Sequence, residues 1–78
     1  MPTSKLLQSA LKELGNNIRR ERVGQGMTQQ SLAEAADLNI RNVQRIEAGD
    51  FDILLRTAVR LRKALNCSWE KIMPRGWL

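Results

Sequence analysis

The chain has no histidine and no tyrosine, a single cysteine, two tryptophans and one phenylalanine in 78 residues. Each shortage removes a class of function. Without histidine, the commonest general acid–base group and metal ligand is missing. The lone Cys67 can close no disulfide within the chain, and with few clustered acids it leaves no zinc site of the usual spacing. No glycine-rich phosphate loop follows a strand. Catalysis is therefore rejected, and no cofactor or metal is expected. The two prolines, Pro2 and Pro74, sit near the ends, and no sustained alternation of β-branched residues marks a strand. No apolar run approaches the roughly 20 residues that span a bilayer. Pro2-Thr3-Ser4-Lys5 leads into an amphipathic segment rather than the continuous apolar core of a signal peptide. A single thiol fits a reducing cytoplasm.

What the chain does have is positive charge. Lys and Arg number 13 against 8 Asp and Glu, for a net charge of +5, and Arg predominates over Lys. The planar guanidinium fork suits phosphate and guanine, so this excess predicts nucleic-acid affinity that falls steeply with salt. No stretch combines a fully basic face with a large apolar one, and a membrane partner is not expected. Residues 1–78 are read as one domain, near the size at which a single core is only just adequate. That core must come from Leu, Ile, Val, Met and Ala on several helices.

The first helical stretch carries Leu7, Leu11, Leu14 and Ile18 at spacings of four, three and four, the mark of one buried stripe. Ser4 is its expected cap and Gly24 or Gly26 its expected end. Gly15 costs about 1 kcal/mol relative to Ala inside a helix, so a break is expected there. Residues 1–13 read as an N-terminal helical extension. At the other end, Asp50-Phe51-Asp52 forms a loop into a helix of about Ile53 to Leu65, with Leu54, Ala58, Leu61 and Leu65 inward and Arg56, Arg60 and Lys63 outward. Asn66 ends it, Cys67 is a small core residue, and Ser68 caps a last short helix from Trp69 to about Met73, stopped by Pro74. Residues 74–78 are a tail. Three placements are open to its Trp77-Leu78 pair: against the first helix, in a dimer interface, or in no fixed place.

Residues 26–49 read as two short helices around a tight corner. Thr28 caps the first, its hydroxyl accepting a backbone N–H that lacks an intrahelical partner. Met27 and Leu32 flank that cap as a hydrophobic staple. Asn39 caps the second, with Leu38 and Val43 as its staple. Asp37 between them tolerates the left-handed conformation of a sharp corner. On a wheel of about 100° per residue, Val43 and Ile46 mark the buried side of the second helix. Glu47 falls close to that side, an odd place for a carboxylate. Arg41 and Arg45 point away from the core, Asn42 and Gln44 flank them, and Ile40 sits at a shoulder. Such a ridge holds the groups that read base edges, Arg for guanine and Asn or Gln for adenine. On an isolated helix it would be an ordinary solvated face. The preceding helix and the charge of the chain set it apart.

Ile18 to Gly49 resembles the Cro and phage-repressor type of helix-turn-helix domain. The likeness is carried by Ile18, Arg19, Arg22, Gly26, Met27, Thr28, Gln29, Leu32, Ala33, Ala36, Leu38, Val43, Ile46, Glu47 and Gly49. Asp37 stands where that family usually has Gly, Asn39 where it has Ser or Thr, and Gln44 where Ser is frequent. The resemblance implies an all-α, compact five-helix bundle of the lambda-repressor-like type, its second and third helices forming the helix-turn-helix. It implies Arg41, Arg45, Asn42 and Gln44 as base readers. Ile40, apolar where relatives are often polar, is left a thymine methyl. Thr28, Gln29, Gln30, Asn39 and Arg19 are implied phosphate contacts, since phosphates position a protein and bases choose the sequence. Arg22 and Glu47 are implied to pair internally, which accounts for the odd carboxylate.

The function that follows is a cytoplasmic, sequence-specific transcriptional regulator, expected to act as a repressor. Its partners are double-stranded DNA and a second copy of itself, on a pseudo-palindromic operator. Two rivals share the fold. One is an antitoxin-type module that holds a partner toxin; the other is a restriction-modification controller.

Overall fold

The computed structural model describes residues 4–50 and 52–77. Among them are five helices and no strand: α1 (Lys5–Gly24), α2 (Gln29–Ala36), α3 (Ile40–Glu47), α4 (Leu55–Leu65) and α5 (Trp69–Ile72). The all-α, five-helix expectation holds. Phe51 of the expected loop and Leu78 of the terminal pair, like Met1 to Thr3, lie outside the described residues.

Ser4 caps α1, its Oγ accepting from Leu7 N at 3.1 Å. The helix then runs unbroken through Gly15, contrary to the expected break. The reason is packing. A Cβ on Gly15 would run into the Ile46 carbonyl and stand 2.8 Å from the Glu47 carbonyl, so glycine is what lets α1 lie against the end of α3. Gly49 makes a second close approach. Its φ of +72° turns the chain out of α3, and a Cβ there would stand 2.7 Å from the Lys12 Cα. The buried side of α1 is Ala10, Leu14, Ile18 and Arg22, a strict spacing of four. Leu7, expected in the stripe, is exposed and Leu11 half-buried. Residues 5–13 are continuous with the rest of α1.

Ile18, Leu32, Val43, Leu61, Leu65 and Ile72 form the fully buried centre, with every helix contributing. Full burial of each such side chain is worth about 1.5–3 kcal/mol, which ties the short helices to α1.

α4 starts two residues later than expected. Leu54 is its N-cap, with extended backbone (φ −73°, ψ 150°) and no side-chain cap bond. Lying before the helix with extended backbone, Leu54 is exposed instead of inward. Asn66 ends α4 in the left-handed region at φ 50°. Ser68 occupies the N-cap of α5 but its side chain accepts no cap bond, and α5 ends at Ile72. The free carbonyls at that end are taken by α1 instead: Asn17 Nδ2 donates to Ile72 O at 3.0 Å and to Met73 O at 3.3 Å, and Arg20 Nη2 to Lys71 O at 2.7 Å. Arg20 thus fastens α5. The tail turns back to α1, where the Arg75 N–H donates to Glu13 Oε2 at 2.8 Å.

Candidate nucleic-acid interface

α2 and α3 meet at a corner set by their caps. Thr28 Oγ1 accepts from Ser31 N at 3.0 Å while Ser31 Oγ accepts from Thr28 N at 2.9 Å, a reciprocal capping box. Ser31, three residues after Thr28, is the sequence signal for it, in a place where Glu or Gln is usual. Asp37 closes α2 in the left-handed region (φ 56°, ψ 50°), and Leu38 N returns to Ala33 O at 2.8 Å. Asn39 then caps α3, its Oδ1 accepting from Arg41 N at 2.8 Å.

These caps set the rotation of α3. Val43, Ile46 and Glu47 are buried, and Arg41, Gln44 and Arg45 are exposed. Asn42 is half-buried. Ile40 is also half-buried and packs against the core cluster, so its apolar surface is partly spent inside. Arg45 Nη2 lies 3.5 Å from Asp50 O, along the loop that leaves α3. Gln30 and Asn39 are exposed on the same corner, and Thr28 is exposed at its start.

Beneath α3 lies the Arg22–Glu47 pair. Arg22 Nε donates to Glu47 Oε2 at 2.6 Å and Nη2 to Oε1 at 3.1 Å, a fork-to-fork geometry. Its remaining nitrogen, Nη1, donates to Met27 O at 2.8 Å. One guanidinium therefore joins α1, the α1–α2 loop and α3. Gln29 adds a fourth bond, Nε2 to Glu47 Oε1 at 3.1 Å, which braces α2 against α3. A polar cleft of about 380 Å³ opens above the pair, lined by Arg19, Arg22, Gln29, Gln44, Glu47 and Ala48. It brings two implied phosphate contacts, Arg19 and Gln29, to the foot of one implied reader, Gln44.

The cleft presents the donors of Arg19, Gln29 and Gln44 toward its opening. Among the described residues, no three metal-binding side chains cluster. Away from this site, burial, and next the Glu21 charge, push the Cys67 thiol up, on the α4–α5 corner.

A family profile described as helix-turn-helix matches residues 18–72, which include α2, the corner and α3. The chain belongs to the helix-turn-helix family of Cro and phage-repressor type. That is a family of DNA-binding transcription regulators. The chain is 32% identical over 79 residues to the control protein C.SmaI of Serratia marcescens, covering 100% of this chain and 94% of that protein. The crystal structure of the restriction-modification controller protein C.AhdI of Aeromonas hydrophila is similar at a TM-score of 0.80 and 25% identity, over 83% of this chain and 98% of that one. A hypothetical transcription factor from Neisseria, NHTF, is similar at a TM-score of 0.79 and 25% identity, over 96% and 88%.

Proposed function

We propose that this helix-turn-helix protein is a cytoplasmic regulator of the restriction-modification controller type, a single DNA-binding domain that occupies a pseudo-palindromic operator as a homodimer. One observation carries the reading: α3 presents Arg41, Gln44 and Arg45 to solvent while Val43, Ile46 and Glu47 anchor its other side. An exposed, rigidly backed helix of this width fits a major groove about 12 Å across. Arg41 and Arg45 read base edges there, with Asn42 and Gln44 beside them and Ile40 against a thymine methyl. Thr28, Gln29, Gln30, Asn39 and Arg19 face phosphates around it. The likeness to C.SmaI along the whole chain favours a controller over an ordinary repressor or an antitoxin-type module.

Eight residues of recognition helix reach too few base pairs to single out one genomic site, so two copies are needed. Extents of 32 × 24 × 20 Å give two abutting copies a span of a few tens of ångströms. That is commensurate with the roughly 34 Å between half-sites one turn apart.

Selection of bound duplexes from a random pool at physiological salt tests the reading. The expected product is an enriched sequence with two related half-sites. A pool that emerges unenriched overturns it. Insertion of the selected site beside a reporter promoter then gives the sign of regulation.

A further inference from the structure

α1 begins at Lys5, well before residue 18, where the match to the helix-turn-helix family starts. Along it Lys5, Lys12 and Arg19 recur at intervals of seven, all three exposed. A straight helix drifts only about 20° in seven residues, so the three share one face. At 1.5 Å per residue they stand about 10.5 Å apart along the axis. Gln8, Ser9 and Asn16, exposed on the same side, add amide and hydroxyl donors. The two acids of α1 lie off this face and are already engaged: Glu13 accepts from the Arg75 N–H, and Glu21 pairs with Arg20. Among the described residues, the side chains of Lys5, Lys12 and Arg19 have no hydrogen-bond or ion-pair partner. An ordinary solvated helix face interleaves charges of both signs; this one carries positive charge alone.

The packing of α3 fixes where the face lies. Gly49, at the exit of α3, approaches α1 so closely that a Cβ on it would stand 2.6 Å from the Lys12 Cγ. One helical turn on, Gly15 meets the Ile46 and Glu47 carbonyls, and beyond it Arg19 shares the polar cleft with Gln44. Lys12 and Arg19 therefore flank the crossing of α1 and α3, and Lys5 continues the row outward. Arg45 Nη2, 3.5 Å from Asp50 O, points along the loop that follows Gly49. The basic row thus borders the side on which the proposed readers stand.

We propose that this face of α1 is a rail for the sugar–phosphate backbone of duplex flanking the bases that α3 reads, with Lys12 and Lys5 as two phosphate contacts beyond Arg19. The assignment rests on the DNA-binding function proposed above. A strand offers one phosphate charge per 3.4 Å of duplex axis, a nearly continuous partner for a row of unpaired cations. Lysine is a compact point charge on a flexible stem, suited to a phosphate and poor at bidentate base reading. The rail therefore adds affinity and fixes register without choosing sequence. It also lengthens the stretch of duplex that one copy needs beyond the bases it reads.

The test titrates the selected operator in two lengths, one ending at the outer edges of the selected sequence and one extended on both sides by random duplex. The proteins are the parent, Lys12→Gln, Lys5→Gln and, as a control for net charge, Lys63→Gln on the exposed side of α4. Glutamine keeps the stem of residue 12 beside Gly49 while removing the charge. Lys5, in the first turn of α1, serves as a second variant that leaves the α1–α3 crossing alone, and thermal melting checks each protein. The parent is expected to bind the extended duplex more tightly than the short one. Lys12→Gln and Lys5→Gln should each lose about eightfold on the extended duplex at 0.1 M salt, the effect of one counterion no longer released. The slope of log K against log salt should become shallower by about 0.9 for each, with the preferred bases unchanged. Lys63→Gln should keep the full advantage of the extended duplex. A parent that binds both lengths equally overturns the rail. So do Lys12→Gln and Lys5→Gln proteins that behave like Lys63→Gln, and either result leaves the regulator standing. Failure of the parent to select any DNA sequence overturns the regulator itself and is read before the lengths are compared.

Discussion

Gly15 in the middle of α1 lies directly against the backbone carbonyl of Ile46 at the end of α3. A glycine there weakens an isolated helix by about 1 kcal/mol relative to alanine, and propensity alone would make Gly15→Ala stabilising. The added methyl must instead push the two backbones apart. Forced overpacking costs about 1–3 kcal/mol, and with rigid backbone on both sides the upper part of that range is expected. For a chain of this size the melting temperature should fall by about 4–8 °C per kcal/mol. Thermal denaturation followed by circular dichroism checks it. A variant that melts at or above the parent would mean that α1 and α3 separate at no cost.

The Arg22–Glu47 pair yields a second prediction. Both residues are buried, and Glu47 accepts from Arg22 and from Gln29. Glu47→Ala strands the guanidinium, for which about 3–5 kcal/mol is the usual loss. The double substitution Arg22→Met with Glu47→Leu removes both charges together. It should be less damaging than the two single changes summed, because no unpaired charge remains. Urea denaturation of the four proteins measures this coupling; strict additivity would show that the pair does not hold α3.

Much of this was legible before any coordinates. Thr28, Asp37 and Asn39 declare a cap, a corner and a cap within twelve positions, and local chemistry of that kind needs no tertiary information. The buried place of Glu47 could be read from helical phase alone. What escaped was whatever depends on a distant partner. Gly15 looks like a helix breaker until α3 is laid across it. Asn17 and Arg20 look like solvated surface until the carbonyls of Lys71, Ile72 and Met73 arrive beside them, more than fifty positions later. Leu54 failed for a different reason: the start of α4 carries no side-chain cap, so nothing in the sequence signals which leucine begins the turn. Most of the base and phosphate contacts are exposed positions whose partner is another molecule, and they stand as proposals.

Asn17 and Arg20 also give a prediction that separates the two ends of the molecule. Each bond to an α5 carbonyl is worth about 0.5–1.5 kcal/mol net, somewhat more for the guanidinium. Asn17→Ala with Arg20→Ala should speed amide exchange in Trp69 to Met73 while protection in α2 and α3 stays as in the parent. Uniform loss of protection in all five helices would instead mean that α5 does not open separately.

Cys67 gives a prediction in pH. Burial first, then the Glu21 charge, raise its pKa above the ordinary 9.0, against the lowering effect of Arg62, Lys71 and Arg20. The folded chain therefore keeps the thiol proton at pH values where the unfolded chain has lost it. The stabilisation is fully present below the unfolded value and is lost as pH rises through the folded one. Alkylation at a pH near 9.0 should be slower in the folded protein than in denaturant, with the rate midpoint displaced upward. A folded-state midpoint at or below the ordinary value would contradict the burial of this thiol.

The readers and the brace on α3 should fail in different ways. Arg41→Ala and Arg45→Ala each remove a bidentate donor from an exposed position, and each should weaken operator binding by about 1–3 kcal/mol with relaxed preference at one base pair. Binding to random duplexes should fall much less, since one phosphate-neutralising charge contributes little to sequence choice. Gln29 differs because its amide donates to Glu47, the residue that anchors α3 from below. Gln29→Ala should weaken operator and random DNA by similar factors and lower the melting temperature slightly, with the preferred sequence unchanged. Titration of each variant against operator and scrambled duplexes at several salt concentrations separates the two patterns. If Arg41→Ala and Arg45→Ala discriminate as well as the parent, the specificity lies on another surface. If Gln29→Ala alters the preferred base, the amide reads DNA itself and its bond to Glu47 is broken on binding.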